Sequence, residues 1–563
     1  MGRAITIAVE GCCHGMLDDI YAQLLTKSKN MGKQVDLLMI CGDFQAIRNV
    51  TDLECMACPD KYKQLGGFYR YYTGERVAPI PTIFVGGNHE AGNHMRELYY
   101  GGWVAPNIYF MGNSGVVKFG GLRIGGVSGI YKDYDFVKGY YERPPFRGHA
   151  RSSMHHVRSY EAFKMMQIRK PLDIVVSHDW PQNIERFGDT EGLLRRKPFF
   201  RQEIEEGRLG SPVNALLLER LRPAWWFSAH MHSRFEAQVG AQNVLINGKW
   251  PDIAPYNQHE STVSQTMKNQ DEIVIGDLSD DDEYIPAAVS SRPALNLPPP
   301  KNSTGEPALT LDSLSDTDTD TGKDTDTHQQ QQPKNTNYRT CKSATLANVN
   351  SVPDQPEHKV SDPRVPGRAT RFLALDKCLP NRKFLEIIDI EVEDTTPDNA
   401  YLQLEYDPEW LAILRMCHPY MPLNESPFFP PSNQTKLSEM APSFPAFPDA
   451  MLDRELAWVH SNVFRHGRVF IPPNFVPMAS VPPPGTPDSV SFGLAANQSG
   501  GNRGGRGGRG GHGGNRGRGR GGHFLPRDIP WEGQRPSVIN PNPQTGELCK
   551  MLGIQDNLTQ RRY

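Results

Sequence analysis

Gly11-Cys12-Cys13-His14-Gly15 follows directly on the apolar run Ala4 to Val9. A short apolar run bounded by glycine reads as a buried strand. That strand ends in two metal-binding side chains, Cys12 and His14, flanked by glycines that let backbone and ligand approach closely. Met16 to Lys29 then carries helical spacing through Leu17, Ile20, Tyr21, Leu24 and Leu25. Asp36 to Cys41 is a second apolar run, and Gly42-Asp43 ends it. Strand, helix, strand in that order argues for α/β layers.

The pattern repeats outward from this first unit. Pro81 to Val85 leads into Gly86-Gly87-Asn88-His89-Glu90. Leu122 to Val127 is a further run, Leu172 to Val176 leads into Ser177-His178-Asp179, and Ala224 to Phe227 leads to His230-Met231-His232. In open α/β sheets, ligands gather beyond the carboxyl ends of strands. A single histidine after a strand is ordinarily a core or surface residue. Five strand ends that all deliver metal-binding side chains require that ordinary explanation to hold five times at once.

Chemistry explains the set. A phosphodiester is anionic and repels hydroxide. Two cations roughly 3.5–4 Å apart clamp its oxygens, make water nucleophilic at neutral pH and stabilise in-line displacement. One carboxylate must bridge such a pair, and Asp43 is the candidate. His89 follows Asn88, so it faces the substrate while Asn88 faces the metal, which suits a general acid. Cys13, between Cys12 and His14, turns to the opposite face by strand alternation.

In order, these stretches read G-C-x-H-G, G-D, G-N-H-E, H and H-x-H over residues 5–235. The pattern resembles the calcineurin-like metallophosphoesterases, with Cys12 where an Asp is usual and Ala229 where a Gly precedes the final histidines. Cys12 points to one branch, the RNA lariat debranching enzymes. Gly42-Asp43-Phe44-Gln45, Lys61-Tyr62-Lys63-Gln64, Gly129-Ile130-Tyr131-Lys132, Ser177-His178-Asp179-Trp180-Pro181, Phe372 to Lys377 and the stretch from Asn542 are also similar to that branch.

The resemblance implies an α/β fold, a four-layer αββα metallophosphoesterase sandwich with an appended C-terminal region and a long disordered insert. It implies one metal pocket of Cys12, His14, Asp43 and His232, and another of Asp43, Asn88, His178 and His230. His89 would be the catalytic acid. The reaction would be hydrolysis of the 2′-5′ phosphodiester of branched intron lariat RNA, which places the protein in the nucleus. A thiolate is a soft ligand, so Fe²⁺ or Zn²⁺ is expected, with Mn²⁺ also compatible. Tyr131, Lys132, Tyr134, Lys138, Tyr140, Tyr141 and Arg143 mix rings and cations as single-strand binders do, and correspond to a lariat recognition loop.

The chain has 563 residues, nine thinly spread cysteines and a net charge of −3. That length exceeds one compact core. No apolar run nears a membrane span, no secretory segment is expected, and free thiols in a reducing compartment fit best. Residues 1–239 read as the catalytic core and 240–365 as a disordered acidic and polar insert whose partners stay open. Residues 366–480 supply closing strands and a C-terminal domain, with Arg371 to Lys377 and Phe384 to Val392 expected as a hairpin. Residues 481–533 hold a Pro-rich and Gly-Arg tract suited to weak accessory RNA contacts, and 534–563 a terminal helix. Two other readings stay open: a phosphatase of the same fold acting on protein or nucleotide, and a catalytically silent RNA-binding scaffold.

Overall fold

The computed structural model describes residues 3–240, 368–392, 402–426, 448–483, 485–489 and 539–559. The acidic insert beyond residue 240 and the Gly-Arg tract from Gly500 to His523 lie outside the described residues. Before the insert the strands are β1 (Arg3–Glu10), β2 (Leu37–Ile40), β3 (Thr82–Phe84), β4 (Gly102–Ala105), β5 (Ile108–Phe110), β6 (Ser114–Phe119), β7 (Leu122–Val127), β8 (Ile174–Ser177), β9 (Trp225–Ser228) and β10 (Phe235–Val239). After it come β11 (Thr370–Ala374), β12 (Leu385–Val392) and β13 (Leu404–Tyr406).

They form two mixed sheets, one ordered β12-β1-β2-β3-β5-β4 and the other β10-β11-β9-β8-β7-β6-β13. β2 is buried at all four positions, as a parallel strand covered on both faces must be. Alternation sorts β1: Ile5, Ile7 and Val9 face a core shared with Ile124, Val176, Phe227 and Leu373 of the other sheet. Ala8 faces the opposite way, toward Leu17, Ile20, Tyr21 and Leu24 of the helix Leu17–Met31. That helix ends at Gly32, whose φ of 62° lets its N–H reach back to the last carbonyls. The helices Ser159–Met166, Pro212–Leu221 and Pro408–Cys417 cover the other outer face, with Phe163, Leu217 and Ile413 packed in one core with Val175 and Trp226. The result is four layers, helices outside and two sheets inside.

One expectation is overturned. Arg371 to Lys377 and Phe384 to Val392 do not pair as a hairpin. β11 inserts between β9 and β10 in one sheet, while β12 runs antiparallel along the whole of β1 in the other, from Arg3↔Val392 to Glu10↔Leu385. Alternation reports which face a residue takes, not which strand lies beside it, so two strands joined by a crossover look like a hairpin. The crossover runs past the first metal turn: Gly11 N–H donates to the Phe384 carbonyl at 3.0 Å and Cys12 N–H to the Asp376 carbonyl at 3.4 Å.

Further along the chain, the helix Asp449–Asn462 buries Leu452 and Val459, and the terminal helix Pro543–Leu552 stops at left-handed Gly553. Gln544 of that helix completes the exposed edge of β4, accepting from Trp103 N–H at 2.7 Å and donating to its carbonyl at 2.9 Å. Among the described residues, no helix is long and apolar enough to cross a membrane.

Candidate metal centre

Three of the five ligand-bearing turns share a backbone signature. His14, Asp43, His230 and His232 all adopt positive φ, at 46°, 47°, 60° and 45°. Non-glycine residues rarely do so, and such conformations cluster where function requires a side chain aimed against local preference. Glycines clear the space between turns. A Cβ on Gly87 would lie 2.1 Å from Asp43 Oδ1, and one on Gly42 would lie 2.3 Å from His178 Nδ1.

These turns bring the donor atoms of Cys12, His14, Asp43 and His232 within 4.8 Å of one another. His14 Nε2 and His232 Nε2 are 3.2 Å apart. Two nitrogens on one tetrahedral ion at 2.0–2.1 Å would be separated by about 3.3 Å. His14 Nε2 lies 3.7 Å from Asp43 Oδ2. The other carboxylate oxygen, Asp43 Oδ1, lies 3.4 Å from His178 Nε2, which in turn lies 3.1 Å from Asn88 Oδ1. The His178 and His230 ring centroids are 5.0 Å apart. Asp43 thus stands between two sets of donors, each oxygen turned to one of them. The ring of His178 is fixed through Nδ1, 2.8 Å from the Cys41 carbonyl, which leaves Nε2 to face the centre.

The electrostatics suit a divalent cation. Burial and then the charges of Asp43 and Glu10 push the Cys12 thiol far up, although the His230 N–H, 3.1 Å from the sulfur, opposes them. Burial holds His14 down at about 3 and also depresses His178 and His232, so these imidazoles are neutral and able to ligate. Burial would raise Asp43, but His178, His89 and His14 together hold it well below the usual carboxylate range. A buried carboxylate among neutral donors suits a divalent ion, and the fold carries that implication independently.

His89 is buried beside this set. Its N–H donates to Asp43 Oδ1 at 3.0 Å, its Nε2 lies 3.2 Å from Asn88 Nδ2, and its ring centroid is 5.8 Å from that of His14. Glu90 was not singled out from the sequence, though it follows Asn88-His89 directly. Its carboxylate accepts from Phe44, Gln45 and Gly87 N–H groups at 2.7, 2.8 and 3.0 Å, so it splices the Asp43 turn to the Asn88 turn. Burial, then Asp43, pushes it up to about 7.

The loop residues expected to face RNA divide sharply. Tyr134 and Arg143 are exposed, and Tyr131, Lys132, Lys138 and Tyr141 are partly buried. Tyr140 is a correction: it is 2% exposed and its hydroxyl donates to Glu161, so it is a core residue with no face for RNA. Tyr131 N–H donates to Asp179 Oδ2 at 3.2 Å, next to His178 in sequence, which starts the loop at the edge of the centre.

Comparison with known proteins bears on the same geometry. The calcineurin-like phosphoesterase family matches residues 5–234, and the lariat debranching enzyme C-terminal domain matches residues 367–498. The lariat debranching enzyme of Schizosaccharomyces pombe is 39% identical over 471 residues, covering 83% of this chain and 88% of that protein. Lariat debranching enzyme A of Xenopus laevis is 40% identical over 409 residues, 73% of this chain and 54% of that protein. The lariat debranching enzyme of Arabidopsis thaliana is 39% identical over 417 residues, 74% of this chain and 69% of that protein. The chain spans about half the length of the vertebrate relatives it matches. The two matched segments meet at the Cys12 turn, one supplying β1 and the other the crossover packed against it, and by its identity to the Schizosaccharomyces pombe enzyme across 88% of that protein the chain belongs to the lariat debranching enzyme family.

Proposed function

We propose that this chain hydrolyses the 2′-5′ phosphodiester at the branch of an excised intron lariat. The observation that carries the reading is Cys12, buried among the donors where the wider superfamily uses Asp, on a chain similar along most of its length to the Schizosaccharomyces pombe enzyme. Cys12, His14, Asp43 and His232 would hold one divalent ion, and Asp43, Asn88, His178 and His230 a second, with Fe²⁺ or Zn²⁺ favoured by the thiolate and Mn²⁺ compatible. Bound there, such ions supply the positive charge that clamps phosphate oxygens and makes water nucleophilic at neutral pH.

The protein's own residues do the rest. Asp43 holds the two halves in register, and Glu90 fixes its turn. His89, tied through its backbone to Asp43, gives a proton to the departing 2′ oxygen. Water adds to phosphorus, the P–O2′ bond breaks, and a linear RNA with a 5′ phosphate remains. Tyr134 offers an exposed ring for a base near the branch, Arg143 a cation for phosphate, and the Gly-Arg tract further sequence-tolerant contacts. An intron substrate also implies action in the nucleus. A synthetic branched RNA incubated with metal-loaded protein tests the reading. Release of the branch at the 2′-5′ bond is expected. Intact branched RNA alongside rapid phosphomonoester turnover would instead make the protein a phosphatase of the same fold.

A further inference from the structure

Lys377 lies in the stretch Phe372 to Lys377, which the reaction as described does not use. It comes from beyond the insert, yet it pairs as an isolated parallel bridge with Cys12, one of the four clustered donors. The contact is close. Cys378 N–H donates to the Cys12 carbonyl at 3.2 Å, and a Cβ on Gly11 would lie 2.0 Å from the Asp376 carbonyl, so only glycine lets the crossover settle there.

This cation has no ion-pair partner among the described residues. The neighbouring carboxylate is engaged elsewhere: Asp376 Oδ1 accepts the Lys377 backbone N–H at 2.8 Å, and Oδ2 faces Arg382 Nη1 at 3.6 Å. Lys377 is partly buried, and a cation beside a cation-binding cluster is electrostatically unfavourable until an anion joins them. Lysine serves phosphate as a compact point charge on a flexible stem.

We propose that Lys377 is a substrate-binding residue whose ammonium holds a non-bridging oxygen of the scissile phosphodiester beside the Cys12–His14–His232 pocket. The inference rests on the diesterase reading of that site, but not on the branched substrate. It also gives the segment after the insert a direct part in the chemistry.

The test uses the full metal-loaded chain with K377M, K377Q and K377R, on branched RNA and on bis(p-nitrophenyl) phosphate. The small diester contains only a scissile phosphate. K377M and K377Q should raise KM for both substrates about tenfold, as loss of one charge-assisted contact does, with kcat changed less and metal content unchanged. K377R should recover most of the loss. In a His89→Ala background, the salt slope of single-stranded RNA binding should fall by about 0.7 in K377Q. Wild-type KM in K377M and K377Q, an effect confined to RNA, lost metal, or failure of K377R to recover KM would each overturn the proposal. If wild type leaves branched RNA intact while K377Q still raises KM for the small diester, debranching falls and the lysine assignment stands.

Discussion

Among the described residues, the candidate metal centre and the stretch from Tyr131 to Arg158 are built in opposite ways. At the metal centre, side chains arrive from five strand ends, three of them on turns with positive φ, across gaps that glycines keep open. Around the buried Asp43 carboxylate, the donor atoms of Cys12, His14 and His232 converge within 4.8 Å of one another. In the stretch from Tyr131 to Arg158, charges are satisfied internally. Asp135 Oδ2 meets His156 Nδ1 at 2.7 Å and His149 Nε2 at 2.9 Å, and Lys138 Nζ reaches Oδ1 at 2.9 Å. Glu142 pairs with Arg96 at 2.8 Å and with Arg158, and accepts from Ser153 at 2.8 Å. The first region turns four donors toward one another. The second is mostly satisfied because it holds a loop in shape, leaving few side chains free to meet a substrate.

The contrast can be broken most sharply at Asp43. Asp43→Ala should abolish diester hydrolysis, by about a thousandfold or more, and release metal while the circular dichroism spectrum stays native. Retained metal would mean that the carboxylate is not shared. In the loop, Glu142→Gln should cost about 3–5 kcal/mol, because it removes the buried carboxylate charge that Arg96 and Arg158 share. Denaturant unfolding measures this, and a change below about 1 kcal/mol would show that the loop is not anchored there.

A subtler loop effect concerns pH. Burial holds His156 down to about 4, from an ordinary value of 6.5, against the pull of Asp135. The folded protein therefore binds this proton less readily than the unfolded chain. Its contribution to stability is fully present above pH 6.5 and is lost as pH falls through about 4. The loss is at most roughly 3 kcal/mol, and His156→Gln should flatten that part of the stability profile. The smallest effect separates two tyrosines. Tyr134→Ala should weaken RNA binding by about 1–3 kcal/mol, the worth of one stacked base, while Tyr140→Phe leaves affinity unchanged and lowers thermal stability. Equal affinity loss in both would return Tyr140 to the binding surface.

The same contrast explains what was legible in the sequence. The strand ends are readable because a ligand-bearing turn of this kind leaves a local mark: an apolar run, then Gly-Asp, Gly-Gly-Asn-His or His-x-His within a few residues. The α/β layering followed from the same runs. The partner of each strand was not readable, because β11 and β12 differ in sheet but not in alternation. Tyr140 was misread because a basic and aromatic stretch has the same composition whether it faces RNA or closes around Glu161 and Glu142. Glu90 and Lys377 act through contacts that only the folded chain creates, one across β2 and β3 and the other across the whole insert. The φ values of His14, Asp43, His230 and His232 have no sequence signature at all, since none is glycine.

The central claim is that the converging turns form a paired centre with the Cys12 sulfur in one coordination shell. Metal analysis combined with X-ray absorption, on protein purified without added metal or chelator, tests it most directly. The account predicts about two divalent ions per chain, one with a sulfur scatterer at about 2.3 Å that disappears in Cys12→Ser. A single ion per chain, or a sulfur signal unchanged in that variant, would contradict it.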